Sequence, residues 1–278
     1  MLSNQNWEMI KIDKDLSVIP ESLKPPTSDF FRAPYQPGIS SKTTHERRKE
    51  LILKGNYIDE ENYNSRYRYY DVREGLDELY HKKCAFCEQR QEVPHVEHFR
   101  PKNIYYWLAY SWDNLLYACT SCNTKKGKIF DVGGTRSIMS LDPINPFREI
   151  HRSCASLDLS EQPLLVNPET EDLTHELIFN ELGEVHSNNS RLQHTIDQCG
   201  ISREDLCYQR KKILEDFKKD MESEMLEASG DIDQQKIVVA VLVRQFIRKS
   251  HSSFESFLAF RRFAISQDLI GRIIKKVV

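Results

Sequence analysis

A chain of 278 residues with 39% hydrophobic and 29% charged side chains has material for one large domain or two modest ones. Its longest apolar run, Ile237 to Val243, is far too short to span a bilayer. The first residues also lack the apolar segment and cleavage site of a secretory signal, so a cytoplasmic protein with no membrane contact is expected. Net charge is −3, which on its face argues against a nucleic-acid partner, but the charge is uneven. Between His81 and Phe130 eight Lys/Arg face four acids, a local +4 that leaves −7 for the remainder. A basic island in an acidic protein is a place to meet phosphate.

Taken in order, residues 1–40 are rich in proline and serine and read as an extended arm, with one short strand at Met9 to Ile12. A helix starts near Thr43 and ends near Gly55, and a second runs from Tyr67 to Lys83 with Val72, Leu76, Leu79 and Tyr80 at helical spacing. It delivers the chain into a Cys-rich stretch. Beyond Gly133 and Gly134, the segments Leu141–Pro146 and Pro163–Pro168 read as strands or extended connectors. A hairpin is expected around Gly183. The last third is helical: Ser202 opens a near capping box, a stripe from Leu206 to Met225 stops before Gly230, and further helices carry Ile237–Ile247 and Phe254–Phe263. The fold class is α+β, mainly helical. Expected boundaries are 1–75 for arm and helices, 76–146 for a metal-bearing core, 147–201 for a mixed connector and 202–278 for a helical subdomain.

Seven cysteines include two tight pairs, Cys84/Cys87 and Cys119/Cys122. In a reducing compartment such pairs favour metal over disulfides, and two knuckles complete a four-sulfur zinc site. That site is closed, so its role is folding. Cys154, Cys199 and Cys207 show no partner spacing and read as small buried hydrophobes. Between the knuckles sit His95, Glu97 and His98, and Asn123 follows the last cysteine directly. Hydrolysing a phosphodiester requires a base to deprotonate water and a cation to stabilise the phosphorane. Neutral histidine suits the first task, and a carboxylate with an amide oxygen suits Mg²⁺. On a regular strand His95 and Glu97 share a face while His98 points away, so His95 stays open as an alternative ligand. Tyr105, Tyr106, Trp107, Tyr110 and Trp112 offer stacking surfaces, with core filling the plainer expectation.

The residues Glu97-His98, Asn114 within Ser111–Leu116, and Cys119–Gly127 together resemble the HNH endonuclease ββα-metal motif with its CxxC pairs. The fuller wording over about residues 76–146 is similar to the PtuB-type HNH nucleases of Septu and certain retron anti-phage systems. The resemblance implies that His98 is the general base and that Glu97 and Asn123 hold a catalytic Mg²⁺ or Mn²⁺. Asn114 would orient the His98 loop, and Arg100, Lys125 and Lys126 would contact phosphate. Glu97 stands where the family usually has Asp or His, and Asn123 where it often has His; both favour Mg²⁺ or Mn²⁺ over zinc at the cutting site. Also implied are a nucleic-acid substrate (DNA ahead of RNA), a PtuA-type ATPase partner and an association with retron components. The chain has no G-x-x-x-x-G-K-[ST] of its own, and its C-terminal helices, with the N-terminal arm, are the expected contact for that ATPase. The competing reading is a non-catalytic zinc-containing module that binds nucleic acid or recruits partners.

Overall fold

The computed structural model describes residues 12–24, 44–59, 66–93, 95–139, 151 and 154–278. The expected strand at 9–12 and the Leu141–Pro146 connector fall largely or wholly outside these. Two compact units are formed, one from described residues in 12–85 and 91–171, the other from 86–90 and 172–278.

In the first unit, α1 (Thr44–Lys54) ends at Gly55, whose φ of 68° suits a residue without a Cβ. Next, α2 (Tyr70–Tyr80) buries Val72, Leu76 and Tyr80, its i, i+4, i+8 face. It is shorter than the expected Tyr67–Lys83. Residues Arg66–Arg68 form a separate 3-10 turn, and His81 and Lys82 leave the helix in the left-handed region at φ 49° and 59°. Two such non-glycine residues cost about 1–2 kcal/mol each, and they turn the chain sharply into Cys84.

The central strands are short: β1 (His95–His98) pairs antiparallel with β2 (Leu115–Ala118), with His98 opposite Leu115. All four β2 residues are buried because α2 packs against the strand, with Tyr80 stacked on Tyr117 at 5.9 Å. Helix α3 (Thr120–Lys126) follows directly and packs on β1, completing a ββα unit. The aromatic stretch between the strands fills core: Tyr105, Trp107, Tyr110 and Trp112 are all buried. Arg48 of α1 holds this loop by donating to the Trp107 carbonyl and the Ser111 hydroxyl at 2.7 and 2.8 Å.

Helix α4 (Cys154–Glu161), in the stretch read as a connector, supplies buried carboxylate to the same unit. Residues 163–168 form no strand: Pro163 makes an isolated bridge with Val132, bends follow at Leu164 and Leu165, and a turn begins at Pro168.

The second unit holds the expected hairpin, β3 (Leu177–Phe179) with β4 (Val185–Ser187), turning at Gly183 with φ 80°. Then come α5 (Ser190–Cys199), α6 (Glu204–Glu227), α7 (Ile232–His251), α8 (Leu258–Ser266) and α9 (Leu269–Val277). The expected Ser202 cap is not made: the N-cap is Arg203, and the Ser202 hydroxyl instead accepts from the Val185 amide at 3.1 Å. Phe254 and Phe257 precede α8 rather than lying in it, and the first turn of that helix is satisfied by Glu88, whose carboxylate accepts from the Ala259 amide at 2.9 Å. Cys154 and Cys199 are buried as expected, whereas Cys207 is half-buried. Among the described residues no helix is long and apolar enough to cross a membrane.

Candidate nuclease centre with a four-cysteine metal site

The ligand atoms of Cys84, Cys87, Cys119 and Cys122 all lie within 4.8 Å of one another, and all four residues are buried. A tetrahedral zinc with bonds of about 2.3 Å sets sulfurs about 3.8 Å apart, so the donor set fits that ion. Local structure explains the convergence. The Ala85 amide donates to the Tyr117 carbonyl at 2.7 Å, tying the first knuckle to β2, which ends at Ala118, just before Cys119. The Cys119 sulfur then caps α3, accepting from the Cys122 amide at 3.3 Å. Among the described residues no other group of three or more His, Cys, Asp or Glu is placed to hold an ion.

His98 ends β1 and is 6% exposed. Its Nε2 lies 2.9 Å from the Ala109 carbonyl. A carbonyl oxygen only accepts, so the proton sits on Nε2 and the lone pair is on Nδ1. Burial is the main cause that lowers its pKa to about 3; the positive charges of Lys102, Lys126 and Arg68 act in the same direction, against the Ala109 bond. The ring meets Tyr67 edge-on, with centroids 4.5 Å apart. The result is a neutral imidazole held in one tautomer.

Glu97 is also 6% exposed, and its Oε1 accepts from the Lys126 ammonium at 2.6 Å. Lys126 is fully buried and donates as well to the His98 carbonyl at 2.8 Å. Burial pushes the Glu97 carboxyl up, while Lys126 and then Lys102 pull it down. Strand β1 thus places Glu97 toward α3 and His98 toward Ala109 and Tyr67. Removing one partner of such an enclosed pair leaves an uncompensated charge, at a cost of about 3–5 kcal/mol. Lys126→Met should therefore lower stability by about that amount in urea unfolding, and the double variant with Glu97→Leu should recover much of it. An unfolding midpoint unmoved in Lys126→Met would contradict an enclosed pair.

Asn114 is fully buried and ties down the segment after β1. Its Oδ1 accepts from the Arg100 amide at 2.8 Å, and its Nδ2 donates to the carbonyls of Arg100 and Leu108 at 3.1 and 3.2 Å. Its own carbonyl accepts from Phe99 at 2.9 Å. Lys14 secures the same turn from outside, donating to the carbonyls of Trp112 and Leu115 and pairing with Glu169 at 2.6 Å.

Two residues expected at phosphate are placed elsewhere. Arg100 is fully buried, its guanidinium bonded to Glu161 at 2.9 Å and Asp158 at 2.5 Å of α4, so its charge is spent inside the unit. Lys126 is enclosed with Glu97 as described above. Lys125 is exposed, and Asn123 is half-buried one turn before Lys126 on the face of α3 that meets β1. His95, at the start of β1, is exposed. The sequence reading assigned no role to Tyr67, Arg68 and Lys102, which flank His98. Tyr67 and Arg68 come from the turn before α2, outside any local motif. Lys102 carried only the general signal of the basic island.

The HNH endonuclease family matches residues 84–128, the interval from the first knuckle through α3. Two curated relatives are similar over longer stretches. The Septu protein PtuB of Bacillus mycoides (strain KBAB4) is 31% identical over 170 residues, which cover 54% of this chain and 53% of that protein. The Septu protein PtuB of Bacillus thuringiensis is 34% identical over 99 residues, which cover 33% of this chain and 35% of that protein. The chain thus matches about half the length of one relative and a third of the other.

Proposed function

We propose that this chain, which carries an HNH endonuclease domain of the PtuB type, is a metal-dependent nuclease acting as the effector of a Septu-type anti-phage system. The observation that carries the reading is His98: a buried, neutral imidazole whose Nε2 proton is engaged by Ala109, with the Nδ1 lone pair left for a water proton. In this reading the water oxygen bonds to phosphorus as its proton passes to Nδ1. The bond from phosphorus to the 3′ oxygen then breaks, and that oxygen takes a proton from water. The products carry 5′-phosphate and 3′-hydroxyl ends.

A divalent ion at this centre would supply positive charge for the phosphorane and the departing oxygen. The donor set supports Mg²⁺ or Mn²⁺: one carboxylate, Glu97, and one amide, Asn123, both hard, suit an ion that would take waters and substrate oxygens as its other ligands. With Oε1 bonded to Lys126, Oε2 is the oxygen of Glu97 assigned to the ion. Exposed Lys125 is the phosphate contact retained from α3, and Asn114 holds the segment that follows the base. Zinc is assigned to the four cysteines and takes no part in the cut. His95 is left outside the set.

The partner is proposed to be an ATPase of the PtuA type, met by the C-terminal helices; co-purification that survives deletion of residues 203–278 would exclude that contact. The reading as a whole is tested on purified, zinc-loaded protein given plasmid, single-stranded oligonucleotide and tRNA, with and without Mg²⁺ or Mn²⁺. Cleavage of at least one substrate that requires the added ion is expected. No product from any of them, with the ATPase present or absent, would discard the nuclease reading.

A further inference from the structure

The charges nearest the centre are not equivalent. Arg100 is neutralised by enclosed Glu161 and by partly exposed Asp158, and Lys126 by enclosed Glu97. Lys102 is held differently. Its ammonium donates to the Tyr67 hydroxyl at 3.0 Å and lies over the rings of Tyr57 and Tyr67, at 4.1 and 5.0 Å from their centroids. Among the described residues, the carboxylate that reaches it is Asp59, at 3.8 Å and itself 76% exposed, and an exposed pair at that distance contributes little. Aromatic faces and a neutral hydroxyl fix an ammonium in place without cancelling its charge. The side chain keeps a quarter of its surface open to solvent. Through Tyr67, whose ring is edge-on to His98, the cation is also tied to the base, and its charge acts on both His98 and Glu97. The turn at Pro101, whose carbonyl accepts from the Ile104 and Tyr105 amides, sets the direction in which the side chain leaves the backbone.

We propose that Lys102, clamped by Tyr57 and Tyr67, is the cation that binds a non-bridging phosphate oxygen of the nucleic-acid backbone beside His98. Resting on the nuclease reading above, it moves the phosphate contact from the two buried cations named by the sequence to one whose charge is still available. Tyr67 is a positioning residue: it aligns the ammonium and the imidazole together. The ligand recognised is the phosphodiester itself, so the contact carries no base preference.

The test measures binding of a labelled DNA duplex, a single strand and an RNA oligonucleotide to the zinc-loaded full chain without added Mg²⁺, over a range of salt. Lys102→Met should weaken binding and make the log–log salt slope shallower by about 0.7–0.9, the share of one phosphate. In Mg²⁺ its kcat/KM should fall about ten- to a hundredfold. Lys102→Arg should restore the slope. Tyr67→Phe should keep the slope and lower kcat, because the charge remains while its alignment is lost. A wild-type slope and rate in Lys102→Met would overturn the proposal, as would a Lys102→Met protein that has lost its zinc or unfolds earlier, or a wild-type chain that binds none of the three probes. Failure of the nuclease reading looks different: the salt slope would respond to Lys102→Met while no added ion produced cleavage.

Discussion

Cys119→Ser should abolish zinc binding and unfold the region between the knuckles. Structural zinc in small domains contributes about 10–16 kcal/mol of apparent binding free energy near neutral pH, and that energy is folding energy. Here the ion would close a loop of β1, the aromatic stretch and β2, and Cys119 has two duties within it. It is one of the four converging sulfurs, and it caps α3 by accepting from Cys122. Serine could replace the cap but is a poor zinc ligand. Zinc content should therefore fall from about one per chain to near zero. Amide protection should collapse across residues 84–128, whereas Cys207→Ser, half-buried and outside the cluster, should change neither measurement. A Cys119→Ser chain with full zinc content and native protection would refute the four-sulfur assignment.

His98→Ala should lower cleavage by about a hundred- to ten-thousandfold, the usual worth of a positioned general base. The imidazole is buried between Tyr67 and Ala109, so truncation also opens a hole that weakens packing. His98→Gln separates the two effects, because it fills most of the volume and can still donate to Ala109 but offers no comparable base. Both variants should retain zinc, and both should bind nucleic acid with a wild-type salt slope, since no charge has been removed. His95→Ala, on the exposed end of β1, should cut within a few-fold of wild type. Full activity in His98→Gln would remove the base from the scheme, and an inactive His95→Ala would return His95 to the ligand set.

Much of the centre could be read from the chain because its parts are close in sequence. The knuckle spacing, the His98 end of β1 and the short helix after Cys122 are local features, each set by a handful of residues. What escaped was burial. Arg100 and Lys126 are both cations in a basic stretch, and composition cannot distinguish a cation facing solvent from one facing a carboxylate. The partner that occupies Arg100 lies in α4, 58 to 61 residues away, in a segment whose helical period was hidden among polar residues. The holder of the His98 tautomer is a backbone carbonyl, which no residue type announces. The same limit applies further on. The near capping box at Ser202 had suitable residue types, yet the hydroxyl was claimed by the hairpin at Val185, a tertiary contact that overrides a local preference. Helix α5 was announced by Asn189, which accepts from the Arg191 and Leu192 amides, and by Gly200 at its end, a cap-and-stop pair that was legible but unread.

The grip of Lys14 on Trp112 and Leu115, closed by Glu169, has a consequence for how the protein is born. Lys14 stands 98 residues before Trp112, so this contact cannot close until at least that length of chain has been made. At synthesis rates of about 5–20 residues per second, His98 emerges from the ribosome several seconds before Glu169 does. During that interval the nascent chain holds its base and its first cysteines but not the brace that fixes the Asn114 turn. The Asn114 turn thus gains its brace only after the segment through Glu169 has emerged, well after the base itself.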